Sequence, residues 1–246
     1  MVIRNHGAVN LHHPLSAAVL GLGAYLAFGR PRLRHWGATD EEVHERFPGD
    51  DLIAGAGHPS TMATSLPAPP GEVWPWLVQM GCDRAGWYSW DRLDNGGRPS
   101  ADRIHPEWQD LVEGGRLLSV PSGATWFEAA IVDEPRTLVL RADIELPSGH
   151  AFDPTGPLPR AFSEGVWGFH LRPVESGIAT RLVVRTWGRT APQPLMKVVD
   201  VVLGEPAHAI MQTRQFEVLR RRVTEARSVS TSPMEHATEM AQGKST

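Results

Sequence analysis

A chain of 246 residues, 41% hydrophobic and 21% charged, is long enough to bury one sizeable core and short enough for one domain plus ends. Its formal charge of −4 supplies no basic stripe of the kind nucleic acid demands, so no nucleic-acid partner is expected. A single cysteine, Cys82, excludes an internal disulfide framework and fits a reducing, cytoplasmic setting.

Residues 1–34 read as an N-terminal segment. Pro14 to Phe28 is an uncharged apolar run followed by Arg30, Arg32 and Arg34. A bilayer span takes about 20 apolar residues, with about 17 as the lower limit. The run therefore reads as a membrane anchor, a signal-like segment or a hydrophobic helix packed on the domain. No A-x-A-type cleavage site follows it, and the arginines would keep an anchored domain cytoplasmic. Gly21-Leu22-Gly23 lacks the third glycine and the preceding strand of a nucleotide fingerprint. Next, Thr39-x-x-Glu42 is a capping box for a short helix ended by Pro48. Gly49-Asp50-Asp51 is a turn whose acids are expected in solvent. Alternation from Thr61 to Leu66 predicts the first strand. Pro70 to Met80 predicts a helix, with proline tolerated in its first turn and Gly81 as its stop. Five of the nine tryptophans, Trp74, Trp76, Trp87, Trp90 and Trp108, fall between Glu72 and Leu111. So many large apolar rings in one stretch mark a core seam or the wall of a pocket.

From Gly114 the apolar period changes to two. Strands are predicted over Arg116–Val120, Thr125–Val132, Thr137–Ala142, Val166–Val174 and Ala179–Arg189. His170 falls on the polar side of its strand and is expected in solvent. The proline- and glycine-rich stretch between Leu146 and Gly165 is a long loop, of the kind that is often functional. The chain is helical again from Leu195, restarts at Glu205-Pro206, and is expected to end near Ala226. Residues 35–227 thus form the domain, and 228–246 a disordered tail. On pattern alone the fold is α+β, a helix packed on an antiparallel sheet.

The segments VWPWLVQMG, GWYSWD and SADRIHPEWQDL, the last followed by Gly114-Gly115, resemble the SRPBCC superfamily of START-related, polyketide-cyclase-like proteins. The likeness is closest to a bacterial branch with little functional characterisation and runs from about Trp36 to Glu225. It implies a helix-grip fold, in which a curved antiparallel sheet wraps a long C-terminal helix around a ligand cavity. The superfamily hosts lipid carriers, cyclases and other roles, so the resemblance does not choose among them.

Signatures of chemistry are few. The sequence contains no HExxH, CxxC, GxSxG or phosphate-binding loop. No metal or nucleotide cofactor is expected, and the His12-His13 pair alone does not make a site. Cys82 reads as a small buried hydrophobe. His105, beside Asp102 and Glu107, and His208 are the candidates for acid–base work. His105 also reads as a surface residue before a proline. The aromatic set Trp87, Tyr88, Trp90, Trp126, Trp167 and Phe169 reads either as cavity lining or as core filling. Thr186 points to the inner face of its strand. On the last helix, Met211 shares a face with His208, Gln212 and Gln215, which looks either into a cavity or along a solvent edge. In the second case Ala207, Ile210 and Val218 would be the buried stripe. Three function classes follow: a binder of a small hydrophobic, lipid- or polyketide-like molecule, a cyclase- or dehydratase-type enzyme, and a structural or partner-binding module without a ligand.

Overall fold

The computed structural model describes residues 12–242. Residues 1–11 and the last four of the expected tail lie outside the described residues. Helix α1 (His12–Ala24) runs through a π-turn into α2 (Arg30–Arg34), and α3 (Asp40–His44) follows. Strand β1 (Ser60–Leu66) leads into α4 (Pro70–Val78) and the short α5 (Asp91–Asp94). The remaining strands are β2 (Arg116–Leu118), β3 (Trp126–Asp133), β4 (Thr137–Glu145), β5 (Phe162–Val174) and β6 (Ala179–Ala191). Helix α6 (Gln193–Val199) then passes through a second π-turn into α7 (Glu205–Gln242).

The six strands form one antiparallel sheet in the order β1-β6-β5-β4-β3-β2. Alternation sends Leu138 and Leu140 of β4, Trp167, Phe169 and Leu171 of β5, and Leu182 and Val184 of β6 to one face. There they meet Trp74, Trp76 and Leu77 of α4 and Phe216, Leu219 and Val223 of α7. This is the helix-grip arrangement, α+β, with the sheet curved around the long last helix. Helix α7 continues past Ala226, where the sequence pattern ended it.

Strands β5 and β6 extend beyond the predicted ends because Gly165 pairs with Gly188 across them. A Cβ on Gly188 would stand 2.2 Å from the Glu164 carbonyl oxygen, so only glycine lets the backbones approach there. What looked like loop is therefore strand.

The outer face of the sheet is covered too. Residues 36–57 fold over it, and Phe47 and Ile53 are buried against Val183 and against Val139, Val166 and Trp187 respectively. The capping box forms in full: the Glu42 backbone N–H donates to the Thr39 hydroxyl at 3.2 Å, and the Thr39 N–H donates to the Glu42 carboxylate at 2.8 Å. Glu42 also pairs with Arg181 at 2.7 Å, and Asp50 with the buried Arg185 at 2.8 Å. Asp50 is thus a structural partner and not a solvated turn acid.

This cover corrects the reading of His170, which is buried at 3% exposure beneath Phe47, with ring centroids 4.6 Å apart. Neither of its ring nitrogens has a hydrogen-bond partner. Burial, reinforced by Arg172 and Arg185, pushes the imidazole down to about 3.

The apolar N-terminal run lies on the domain. The Tyr25 hydroxyl donates to the Val201 carbonyl at 2.8 Å, and Arg30 grips Glu205 with two bonds of 2.7 and 2.8 Å. Val19, Leu20 and Phe28 nevertheless remain largely exposed. No described helix is long and apolar enough to cross a membrane.

Because His170 is held neutral, protons bind the unfolded chain better than the folded one between about 6.5 and about 3. Stability should fall as pH falls through that window. A His170→Leu variant removes this contribution, so its Tm is expected to drop less than the parent's between about pH 7 and about pH 4. Equal losses in the two proteins would show that His170 finds a proton acceptor in the fold.

Candidate functional site

A cavity of about 320 Å³ lies between the concave face of the sheet and α7. Its apolar wall is built on three rings. Trp87 follows α4 in the loop that leads to α5, Phe127 is on β3 and Trp167 on β5; their centroids are 5.4 to 5.8 Å apart. Val166 and Met211 complete that wall. The polar lining consists of Ser89, Asp94, Ser119, Thr186, His208, Gln212 and Gln215.

The geometry of α7 explains the polar face that the sequence left open. Gln212 and Gln215 are each 1% exposed, whereas Ile210 is 58% exposed, so the solvent-edge reading is excluded. Burying amides beside an apolar sheet requires partners, and the chain supplies them in a row. The Trp167 indole N–H donates to Gln212 Oε1 at 3.1 Å, and Gln212 Nε2 donates to Gln215 Oε1 at 2.8 Å. Gln215 Nε2 in turn donates to the Trp87 carbonyl at 2.9 Å. This relay ties the Trp167 ring and the Trp87 backbone to the helix.

His208 stands at the other end of the cavity, with Nε2 3.1 Å from the Thr186 hydroxyl. Burial alone pushes its imidazole down to about 4, so it is neutral near pH 7. Gly165, Thr186 and His208 also border a larger, more polar recess of about 580 Å³. That recess contains the ion pairs Arg30–Glu205 and Arg189–Glu164.

Of the residues singled out in the sequence, Trp87, Trp167, Thr186, His208, Met211, Gln212 and Gln215 come together here. Four do not. Tyr88 is fully buried in the core, where Gln79 Nε2 donates to its hydroxyl at 2.6 Å, and burial raises that phenol well above its ordinary value. Phe169 is also fully buried, packed behind Trp167 at 4.8 Å. Trp90 is 45% exposed, with Arg214 5.3 Å above its ring. Trp126 carries Arg116 over its ring at 4.3 Å. His105 lies away from the cavity. Its ring stacks on Trp108 at 4.3 Å and its Nδ1 is 3.1 Å from Glu107. Cys82 is buried and receives the Trp87 indole N–H at 3.3 Å; burial pushes its thiol up, the opposite of an activated nucleophile.

Six lining residues escaped the sequence: Ser89, Asp94, Ser119, Phe127, Gly165 and Val166. Asp94 reads locally as a turn acid ahead of Asn95-Gly96-Gly97, and nothing in its neighbours marks it as buried. Phe127 followed from strand alternation but was not singled out. Among the described residues, no group of three or more His, Cys, Asp or Glu side chains is placed to hold a metal ion.

No protein-family model matches the chain, and no curated protein does. Solved structures of similar shape include protein MLL2253 from Mesorhizobium loti, at 19% identity and TM-score 0.36, covering 67% of this chain and 97% of that one. A protein from Arthrobacter aurescens matches at 13% identity and TM-score 0.39, covering 70% and 92%. Ara h 8.0201 matches at 16% identity and TM-score 0.35, covering 66% and 97%. At such low identity and overlap none of them speaks to function.

Gln212 is the middle of the relay, so Gln212→Leu leaves the Trp167 N–H and the Gln215 Oε1 without partners. The expected cost is about 1–3 kcal/mol for each group left unpaired, read from denaturant unfolding. A loss below about 0.5 kcal/mol would mean that the relay carries no net stabilisation.

Proposed function

We propose that the chain binds one small, largely hydrophobic molecule in the cavity between the sheet and α7, in the manner of an SRPBCC-type carrier of lipid- or polyketide-like compounds. The observation that carries this reading is the ring-walled space itself. It is a recess of about 320 Å³, partly open to solvent, set into an otherwise packed interior that leaves few voids larger than a water molecule. Apolar walls with a small number of polar groups are the usual make-up of small-molecule sites. A module with a solid interior would not keep such a space, which argues against a purely structural role.

A second reading, an acid–base enzyme of the cyclase or dehydratase kind, is favoured by one specific observation: the Asp94 carboxyl and the His208 imidazole line the same cavity. The pair would act on a molecule held between the tryptophan wall and α7. Turnover of a bound compound that stops in both Asp94→Asn and His208→Gln, with binding retained, would favour the enzyme over the carrier.

Met211 tests the binding reading. Met211→Trp places an indole in the cavity, so uptake of a hydrophobic fluorescent probe should fall sharply while stability changes little. Unchanged probe uptake accompanied by an overpacking loss of about 1–3 kcal/mol would place Met211 in a filled core and remove the site.

A further inference from the structure

We propose that the cavity selects hydrophobic molecules carrying a protonated amine, and that Asp94 is the residue that receives it. The inference rests on the cavity-binding reading above and names the ligand class for that same site.

Both carboxylate oxygens of Asp94 are buried without a well-formed hydrogen bond, and the nearby Ser89 hydroxyl and the Asp94 and Trp90 backbone N–H groups offset the effect of burial only in part. Of these donors the Ser89 hydroxyl is the one on a side chain. It has one proton, and it gives that proton to the Met211 carbonyl at 3.1 Å. A carboxylate taken out of water without a partner is among the costliest groups a fold can hold.

The surroundings decide what could satisfy it. The cavity lining contains no lysine and no arginine. His208, its only other ionisable member, is kept neutral by burial. The charged neighbours outside the lining offer no relief. Asp91, on the same short helix, is of like sign and adds to the effect of burial, which pushes the Asp94 carboxyl up from the ordinary carboxylate range. The Cys82 thiol, which donates to the Asp94 backbone carbonyl at 3.1 Å, stays protonated. Arg98 is spent on the carbonyls of Cys82 and Arg84, and Arg214 lies over Trp90.

The site is therefore an apolar chamber with one uncompensated acid. An ammonium group complements it in charge and donates the hydrogen bonds it lacks, and such charge-assisted bonds are the strong ones. A carboxylate ligand would meet repulsion, and a neutral one would leave the charge uncompensated. The rings of Trp87, Phe127 and Trp167 would hold the apolar body of the ligand, and their faces also attract a cation.

The test compares three probes of one shape: naphthylmethylamine, naphthylmethanol and naphthoate, titrated calorimetrically into the full chain and into Asp94→Asn and Asp94→Ala. The amine is expected to bind at least about tenfold more tightly than the alcohol, with the acid weakest. Both variants should lose that preference and keep the alcohol's affinity. Equal affinity of alcohol and amine, or an amine preference that survives in both variants, overturns the proposal while leaving the cavity reading intact. Binding of none of the three overturns the cavity reading, and this inference with it.

Thermal melts supply an independent arm. A raised carboxyl value means that the charged form opposes folding, with the full penalty present above the folded value and absent below the unfolded one. Asp94→Asn should therefore melt higher than the parent at neutral pH, and the gap should close as pH falls below about 4. A lower melting temperature at neutral pH would show that the protein itself partners Asp94, and would overturn the proposal.

Discussion

The structure turns on a constraint at one interface: a helix with buried amides is laid across an apolar sheet. Gln212 and Gln215 are almost wholly removed from water, so each N–H and C=O they carry must be matched by protein. The row from the Trp167 indole through both glutamines to the Trp87 carbonyl is how the chain meets that demand. The same row positions the Trp167 ring and the Trp87 backbone at the cavity wall. Where α7 carries Phe216, Leu219 and Val223 instead, the helix seats directly on α4 and the sheet, and the space closes. The cavity exists at the polar end of the helix because those side chains bond to one another and to the wall and do not fill the volume beyond.

The remaining polar groups of the chamber follow a different logic. His208 and Asp94 are costs to the fold, the first held neutral with a threonine hydroxyl as partner, the second buried without a well-formed one. Groups that destabilise the fold and line a cavity are the pattern expected where side chains are kept for a ligand. His170 shows that burial alone is not that signal. It is just as perturbed, but it sits beneath Phe47 on the outer face of the sheet, away from the cavity.

Much of the fold was legible because it depends on local periods. The alternation of Leu138 with Val139 and of Leu182 with Val183 announces strands whatever covers them. Pro70 and Gly81 bracket α4 by backbone chemistry alone. What could not be read depends on contacts distant in sequence. The extension of β5 needs Gly165, which looked like loop punctuation, to pair with Gly188 of β6. The burial of His170 and the pairing of Asp50 with Arg185 need the cover formed by residues 36–57. In the site, alternation told which side Trp167, Phe169 and Thr186 face, but not which of them borders empty space. Tyr88 and Phe169 fill the core, while Trp87 and Trp167 line the cavity. Asp94 was invisible because its neighbours spell a surface turn, and only the folding of α5 against the cavity removes its carboxyl from water.

The central claim is that this space is occupied by a single small molecule in the working protein. Native mass spectrometry of the protein isolated gently from its own host tests it most directly. The account predicts a discrete adduct, one small molecule per chain, that is released when the chain is denatured. The bare chain mass alone, at every collision energy down to the softest, would contradict it.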